Sequence, residues 1–406
     1  MASPTEVVAA MLSLSMIVRN EAERLERCLA SVAGFVDEMV LLDTGSTDDT
    51  VAIAERCGAV VHHLSWPGDF APARNEALKH VTGDWVLVLD ADEVLSAQAQ
   101  EPLRQLMADA DVLLINLLRH ELGAAQAPYS NVSRLFRRHP AISWNRRYHA
   151  MVDDSVAALL AREPRWRVAD CPVPALLHDG YRPELLASGH KAQRLREAME
   201  AELAERPGDA YAAAKLGALE ISEGQRERGL ALLRQGLASC PADAHPERYE
   251  LLLHLALAED NPTAETLYRQ ALALPLPPRL TLAAQLNLAA LLMERGTGSL
   301  ADAATLAQAA AEAAPELAVG WRSLGLIERR RGRIGEAINA YRRSLALEPE
   351  HPETQQNLAV ALLLGGDIDG ARAGFSRAIA LLQAQGRANE AQALRQQAGA
   401  LVKLDG

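Results

Sequence analysis

An α/β domain with a largely parallel sheet, followed by an all-α repeat solenoid, is the architecture that this 406-residue sequence predicts. Three observations lead there. Short apolar runs alternate with helix-like segments up to about residue 182, strand signals vanish from about residue 206, and beyond that point residues of like character recur 34 positions apart.

In the first half, Leu12 to Val18 reads as a strand, and Asn20 as the cap of a helix placing Leu25, Cys28, Leu29 and Val32 on one face. Glu38 to Leu42 is the next strand. It runs into the turn sequence Asp43-Thr44-Gly45-Ser46-Thr47-Asp48 and then a helix carrying Val51, Ala52, Ile53 and Ala54. Ala59 to Leu64 gives a third strand, Ala71 to Val81 a helix, and Trp85 to Leu89 a fourth strand that stops abruptly on Asp90-Ala91-Asp92-Glu93. In an extended chain residues two apart share a face, so Asp90 and Asp92 can converge on one cation just past the strand. Carboxylates are costly to bury unless paired or metal-bound, so the motif on its own reads either as a metal-phosphate grip or, equally, as a strand end whose polar residues cap the next helix. The motif also lies at a strand's carboxyl end, the edge where open α/β sheets bind ligands.

The second half is rich in Ala, Leu, Arg and Glu. Leu324 and Leu358, Gly332 and Gly366, Ala337 and Ala371, Tyr341 and Phe375, and Leu345 and Ile379 are each 34 apart, the period of tetratricopeptide helix pairs. Trp321, Leu324, Gly325, Ala337, Tyr341 and Pro349 resemble that consensus, the small residue letting two antiparallel helices approach. An earlier copy holds Leu216, Gly217, Leu233, Leu237 and Pro241. Two degenerate copies lie between, one with Ala264, Tyr268 and Ala271, the other with Leu288, Ala289, Ala310 and Pro315. About five repeats result, the last ending near Gly386 before a solubilising helix. Pro183 to Arg206, with Leu185, Leu186, Leu195 and Met199, is expected to be a helix that joins and packs on both halves. The expected division is thus 1–182, 183–206 and 207–406.

Composition narrows the function. With 49% hydrophobic and 23% charged residues the chain is an ordinary soluble one, and its formal charge of -12 argues against general nucleic-acid binding. Arg329-Arg330-Arg331 reads as a solvated helix face. Cys28, Cys57, Cys171 and Cys240 are scattered without a Cys-x-x-Cys pair, so neither a zinc site nor a disulfide framework is indicated and a reducing cytoplasm fits. Met1 to Met11 lacks the features of a signal peptide, and no apolar stretch approaches the roughly 18 residues of a membrane span.

Met16-Ile17-Val18-Arg19-Asn20-Glu21, Asp43-Thr44-Gly45-Ser46-Thr47-Asp48, Phe70-Ala71-Pro72-Ala73-Arg74-Asn75, Gly83-Asp84-Trp85 and Asp90-Ala91-Asp92-Glu93 resemble, in order, the motifs of family-2 glycosyltransferases of the GT-A fold. More narrowly they are similar to the bacterial subgroup with a tetratricopeptide tail, which includes peptide S-glycosyltransferases. The resemblance spans roughly residues 12 to 182. It implies a GT-A nucleotide-diphospho-sugar transferase domain followed by a tetratricopeptide-like solenoid. It also implies that Asp43 accepts from the nucleobase, with uracil the expected base, that Val18, Asn20 and Glu21 lie along the nucleotide, and that Arg74 sits near the base or phosphates. Asp90 would approach ribose or metal, Asp92 would ligate Mn or Mg directly, and His178, in His178-Asp179-Gly180-Tyr181, would complete the metal shell or contact phosphate.

The catalytic base is left open. Inverting transfer, which the resemblance implies, needs a carboxylate or imidazole within reach of the acceptor's nucleophile. In Arg147-Tyr148-His149-Ala150 an alanine stands where the subgroup usually has Glu, leaving His149, Asp153 and Asp154 as candidates; Asp153 and Asp154 equally suit the positive end of a following helix. The repeats would then bind a peptide or protein acceptor or build a homodimer. The competing expectation is a tetratricopeptide scaffold whose nucleotide-sugar domain is inactive. Ala150 favours it, and Asp43 with Asp90-Ala91-Asp92 opposes it.

Overall fold

Val, Leu and Ile dominate Leu12–Val18 (β1), and the strand is buried almost throughout, as expected of a central parallel strand covered on both faces. The computed structural model describes residues 10–124, 128–146, 150–179 and 190–403. Two compact units divide between Glu223 and Gly224.

In the first unit β1 pairs in parallel with β2 (Glu38–Asp43) and β4 (Trp85–Val88), and β2 with β3 (Val60–His63). Three helices alternate with these strands: α1 (Leu25–Val32), α2 (Thr50–Arg56) and α3 (Phe70–Leu78). The apolar face expected for α1 is the one it buries, Leu25, Cys28, Leu29 and Val32. Asn20 does not cap it. The helix begins at Leu25, behind Arg24, while Asn20 adopts a left-handed φ of 56° that asparagine tolerates.

The sheet is more mixed than its first half suggests. It has eight strands in the order β3-β2-β1-β4-β7-β6-β8-β5, adding β5 (Glu93–Leu95), β6 (Val112–Glu121), β7 (Tyr129–Arg137) and β8 (Arg167–His178). β7 runs antiparallel to both β4 and β6, β8 parallel to β6, and β5 antiparallel to β8. Helix α4 (Ala97–Ala108) follows β5, and α5 (Asp153–Arg162) precedes β8. One core layer gathers Leu14, Met16, Leu29, Trp85 and Leu87; the other gathers Val86, Val88, Phe136, Trp144 and Val156. The first unit also contains α6 (His190–Glu205) and α7 (Ala210–Ser222).

The Gly83-Asp84 turn ties β1 to β4. Met11 N–H donates to Asp84 Oδ2 at 3.0 Å and Gly83 N–H to Ser13 Oγ at 2.8 Å. A Cβ on Gly83 would stand 2.5 Å from Ser13 Oγ and 2.8 Å from the Met11 carbonyl, so the close approach of chains requires glycine there.

The second unit is helical throughout its described residues, apart from connecting turns: α8 (Arg226–Ser239), α9 (His245–Ala258), α10 (Asn261–Leu272), α11 (Leu282–Arg295), α12 (Leu300–Ala313), α13 (Ala318–Arg330), α14 (Ile334–Leu347), α15 (Pro352–Leu364), α16 (Ile368–Ala384) and α17 (Ala388–Gly399). Gly332 and Gly366 both take positive φ, 76° and 86°, in the turns of successive pairs, so the 34-residue period is a backbone period as well. Gly325 makes the close approach expected of it, since a Cβ there would lie 2.7 Å from the Tyr341 ring.

Candidate active site

β2 and β4 are both parallel to β1, so the loops after all three strands emerge at one edge of the sheet. Two of these loops lock each other. Asn20 Oδ1 accepts from Thr47 N–H at 2.8 Å, Asn20 N–H donates to Ser46 Oγ at 3.0 Å, and Glu21 N–H donates to Thr50 Oγ1 at 2.8 Å. Val18 ends β1 beneath them, its carbonyl taking the Thr44 N–H at 2.9 Å. Asn20 is therefore engaged in holding the second loop.

Asp43, 4% exposed, accepts from Gly45 N–H at 3.1 Å and Ser46 N–H at 3.1 Å, with His63 Nδ1 at 3.4 Å. Burial raises its pKa, but these donors and the Ser46 hydroxyl outweigh burial and hold it below the usual carboxylate range. Gly45 sits at φ 102°, which lets its N–H turn back onto Asp43.

The carboxylates after β4 have different surroundings. Asp90 is clasped by two arginines, Arg74 Nη2 on Oδ1 at 2.7 Å and Arg134 Nη2 on Oδ2 at 2.8 Å. Burial opposes its ionisation, yet the two guanidinium charges hold its pKa far below normal. Arg74 comes from α3, is 7% exposed, and lies over the Trp144 ring at 4.8 Å. Next to it, Asn75 brackets the Trp144 backbone, accepting from its N–H at 2.8 Å and donating to its carbonyl at 2.9 Å. Trp144, 3% exposed, is thus the platform for Arg74. Among the described residues Arg74 Nη1 has no hydrogen-bond acceptor.

Asp92 faces other partners. Its Oδ2 lies 3.4 Å from His178 Nε2 and 3.6 Å from Arg24 Nη1, and Arg24 also binds Glu21 at 2.7 Å. His178, at the end of β8, places Nδ1 2.5 Å from Glu121 Oε2. Burial lowers the His178 pKa, but hydrogen bonds to Asp92 and Glu121 override it, and the value is pushed up to about 9.

The arms are tied together by residues to which the motifs assign no role. Glu93, fully buried, accepts from Arg134 Nη1 at 2.7 Å, Arg119 Nη1 at 2.9 Å and the Asp90 N–H at 2.9 Å. Arg119 Nε donates onward to Glu121 at 2.8 Å. Charges of alternating sign thus run from Arg74 through Asp90, Arg134, Glu93, Arg119, Glu121 and His178 to Asp92. The sequence signal for this is Arg119 and Glu121, two apart on one face at the end of a largely apolar strand.

Of the three base candidates, His149 lies outside the described residues. Asp154 binds Arg206 Nη1 at 2.8 Å and Arg146 Nη2 at 3.3 Å; burial raises its pKa, and the arginines bring it below normal. Asp153, at the start of α5, has a single side-chain hydrogen bond among the described residues, accepting from Ser133 Oγ at 2.7 Å. It is exposed to solvent at its outer side, and crowding of its carboxyl by the surrounding protein is the largest influence, pushing its pKa up.

Residues 13–167 match the family described as glycosyl transferase family 2, and residues 329–398 a tetratricopeptide repeat family. A TPR repeat-containing protein of Synechococcus elongatus is 44% identical over 385 residues, 93% of this chain and 94% of its own. An uncharacterized glycosyltransferase of Rickettsia felis is 35% identical over 136 residues, 31% of this chain and 48% of its own length. The prophage-derived glycosyltransferase SunS of Bacillus subtilis is 27% identical over 146 residues, 34% of each chain.

Proposed function

The chain belongs to the family-2 glycosyltransferases that carry tetratricopeptide repeats, and from that premise we propose that it moves a sugar from a UDP-sugar to a peptide or protein acceptor, with inversion and with a Mn or Mg ion at Asp92. The observation that carries this reading is the facing pair Asp92 Oδ2 and His178 Nε2, 3.4 Å apart beyond the carboxyl end of β4.

One oxygen and one nitrogen at that separation suit two neighbouring positions on a single divalent ion. Among the described residues no three His, Cys, Asp or Glu side chains form a complete ligand set, so the chain would offer two donors and the donor's diphosphate the rest. Asp90, neutralised by Arg74 and Arg134, is assigned to the ribose side rather than to the metal. A bound ion supplies positive charge that offsets the negative charge building on the diphosphate.

Asp43, rigid and ionised at the end of β2, is suited to accept from the uracil, with Val18, Asn20 and Glu21 lining the nucleotide. Asp153 is assigned as the base. In the transfer step the acceptor's nucleophile attacks the anomeric carbon opposite the diphosphate while Asp153 takes its proton. The bond from that carbon to the phosphate oxygen breaks, and its electron pair leaves with UDP. A carboxyl whose pKa is raised, without an arginine partner among the described residues, suits this duty better than Asp154.

The repeats are assigned to the acceptor, with homodimer formation the other use they offer. Among the described residues no helix is long and apolar enough to cross a membrane. A cytoplasmic setting accords with four free cysteines. We likewise retain 1–182 as the catalytic domain, 183–206 as the link and 207–406 as the repeats.

Full-length protein with Mn and a panel of UDP-sugars should release UDP, and Asp92→Ala should abolish release while keeping the melting temperature. Retained turnover in that variant would sink the metal assignment.

A further inference from the structure

Glu121 stands behind His178 and has no part in the scheme above. It is 4% exposed at the end of β6 and accepts from Arg119 Nε at 2.8 Å and from the Ser130 hydroxyl. Its Oε2 lies 2.5 Å from His178 Nδ1, while His178 Nε2 points at Asp92. Between two carboxylates the metal-free ring is held charged; when an ion displaces the Nε2 proton, a carboxylate on Nδ1 keeps the other proton there, fixes the ring's orientation and raises the basicity of the donor nitrogen. Arg119 and Ser130 hold Glu121 from other directions, so the carboxylate cannot follow the ring if it turns. We propose that Glu121 is the positioning residue of the metal site: it selects the Nδ1–H tautomer of His178 and aims Nε2 at the ion beside Asp92, giving the site its affinity for Mn over Mg.

The preference follows from the donor set. Mg takes oxygen ligands and dehydrates reluctantly, whereas an imidazole nitrogen suits a transition metal better. Without Glu121 the contact that holds the proton on Nδ1 is gone, and the nitrogen donor is weakened. The proposal rests on the reading that Asp92 and His178 hold the ion, and the test separates the two.

Mn binding to the full-length protein with UDP is titrated by electron paramagnetic resonance, for wild type, Glu121→Gln, Ser130→Ala and Asp92→Asn. Glu121→Gln should weaken Mn binding by about 10- to 100-fold, leave UDP affinity without metal unchanged, and narrow the Mn over Mg preference. With diamagnetic Zn in place of Mn, histidine-labelled wild type should show His178 bound through Nε2 with its proton kept on Nδ1 by nitrogen NMR, and Glu121→Gln should weaken that signature, which a merely structural role would not move. Ser130→Ala, which loosens Glu121 without removing its charge, should shift Mn affinity in the same direction by less. It decides the matter if Glu121→Gln fails to fold. A folded Glu121→Gln, or failing that Ser130→Ala, with wild-type Mn affinity overturns the proposal. Wild type that binds no Mn, or Asp92→Asn that binds it normally, overturns the underlying site as well.

Discussion

Arg134 holds both acidic ends of the β4 turn, with Nη2 2.8 Å from Asp90 Oδ2 and Nη1 2.7 Å from Glu93 Oε2. Glu93 is fully buried, so removing Arg134 leaves a buried carboxylate with Arg119 as its remaining cation. Breaking one side of a buried charge pair costs about 3–5 kcal/mol. Arg134→Met should therefore lower unfolding free energy by that order in a urea titration, and the double variant Arg134→Met, Glu93→Gln should recover part of it. A loss under about 1 kcal/mol would mean that Arg119 alone satisfies Glu93.

Asp153 and Asp154 are adjacent in sequence but face different partners, and their variants should separate accordingly. Asp153→Asn keeps the Ser133 hydrogen bond in shape and removes proton acceptance. It should lower kcat by about 100- to 10,000-fold with the UDP-sugar KM nearly unchanged. Asp154→Asn breaks pairs to Arg146 and Arg206 and should lower the melting temperature with kcat within a fewfold of wild type. The opposite split would pass the base assignment to Asp154; no kinetic effect from either would pass it to His149.

Much of this was legible because it depends on local pattern. The four parallel strands appear as apolar runs bounded by turn residues, and β1 falls on Leu12–Val18 as expected. The antiparallel half hides. β8 carries Pro172 and Pro174, which argue against a central strand, yet the β6 and β8 registers shift between Asn116 and Leu118 to admit them. The site behaves alike. Asp90 and Asp92 were visible as a pair, but only their neighbours, two arginines for one and His178 for the other, reveal that the two carboxylates do different things. Such long-range partners leave no trace in spacing.

Glu38 gives the protein an acid-sensitive clasp away from the site. Its carboxylate accepts from Ser13 Oγ at 2.5 Å, Thr82 Oγ1 at 2.9 Å and Gly83 N–H at 3.3 Å. Burial raises its pKa, but these donors hold it below its ordinary value of 4.5. A folded-state pKa lower than the unfolded one stabilises the fold above pH 4.5, and the contribution is lost as pH falls through the folded value. Glu38→Gln should show a shallower loss of melting temperature below that pH than wild type. Parallel curves for the two proteins would show that the clasp carries no linkage.

In the repeats, Gly325 and Tyr341 should behave as one packed unit. A Cβ on Gly325 would meet the Tyr341 ring at 2.7 Å, and Tyr341 is fully buried, so Gly325→Ala forces the ring off its position. Overpacking of this kind costs about 1–3 kcal/mol. Tyr341→Leu alone leaves a void, but it also removes the atoms that Gly325→Ala would strike. The double variant should therefore be more stable than the sum of the two single losses predicts, by at least about 0.5 kcal/mol in a denaturant cycle. Strict additivity would mean that the helices shift apart freely and that glycine is not needed for their approach. Gly332→Ala serves as the contrast: its cost comes from a φ of 76° with no atom near the new Cβ, so it should add independently to Tyr341→Leu.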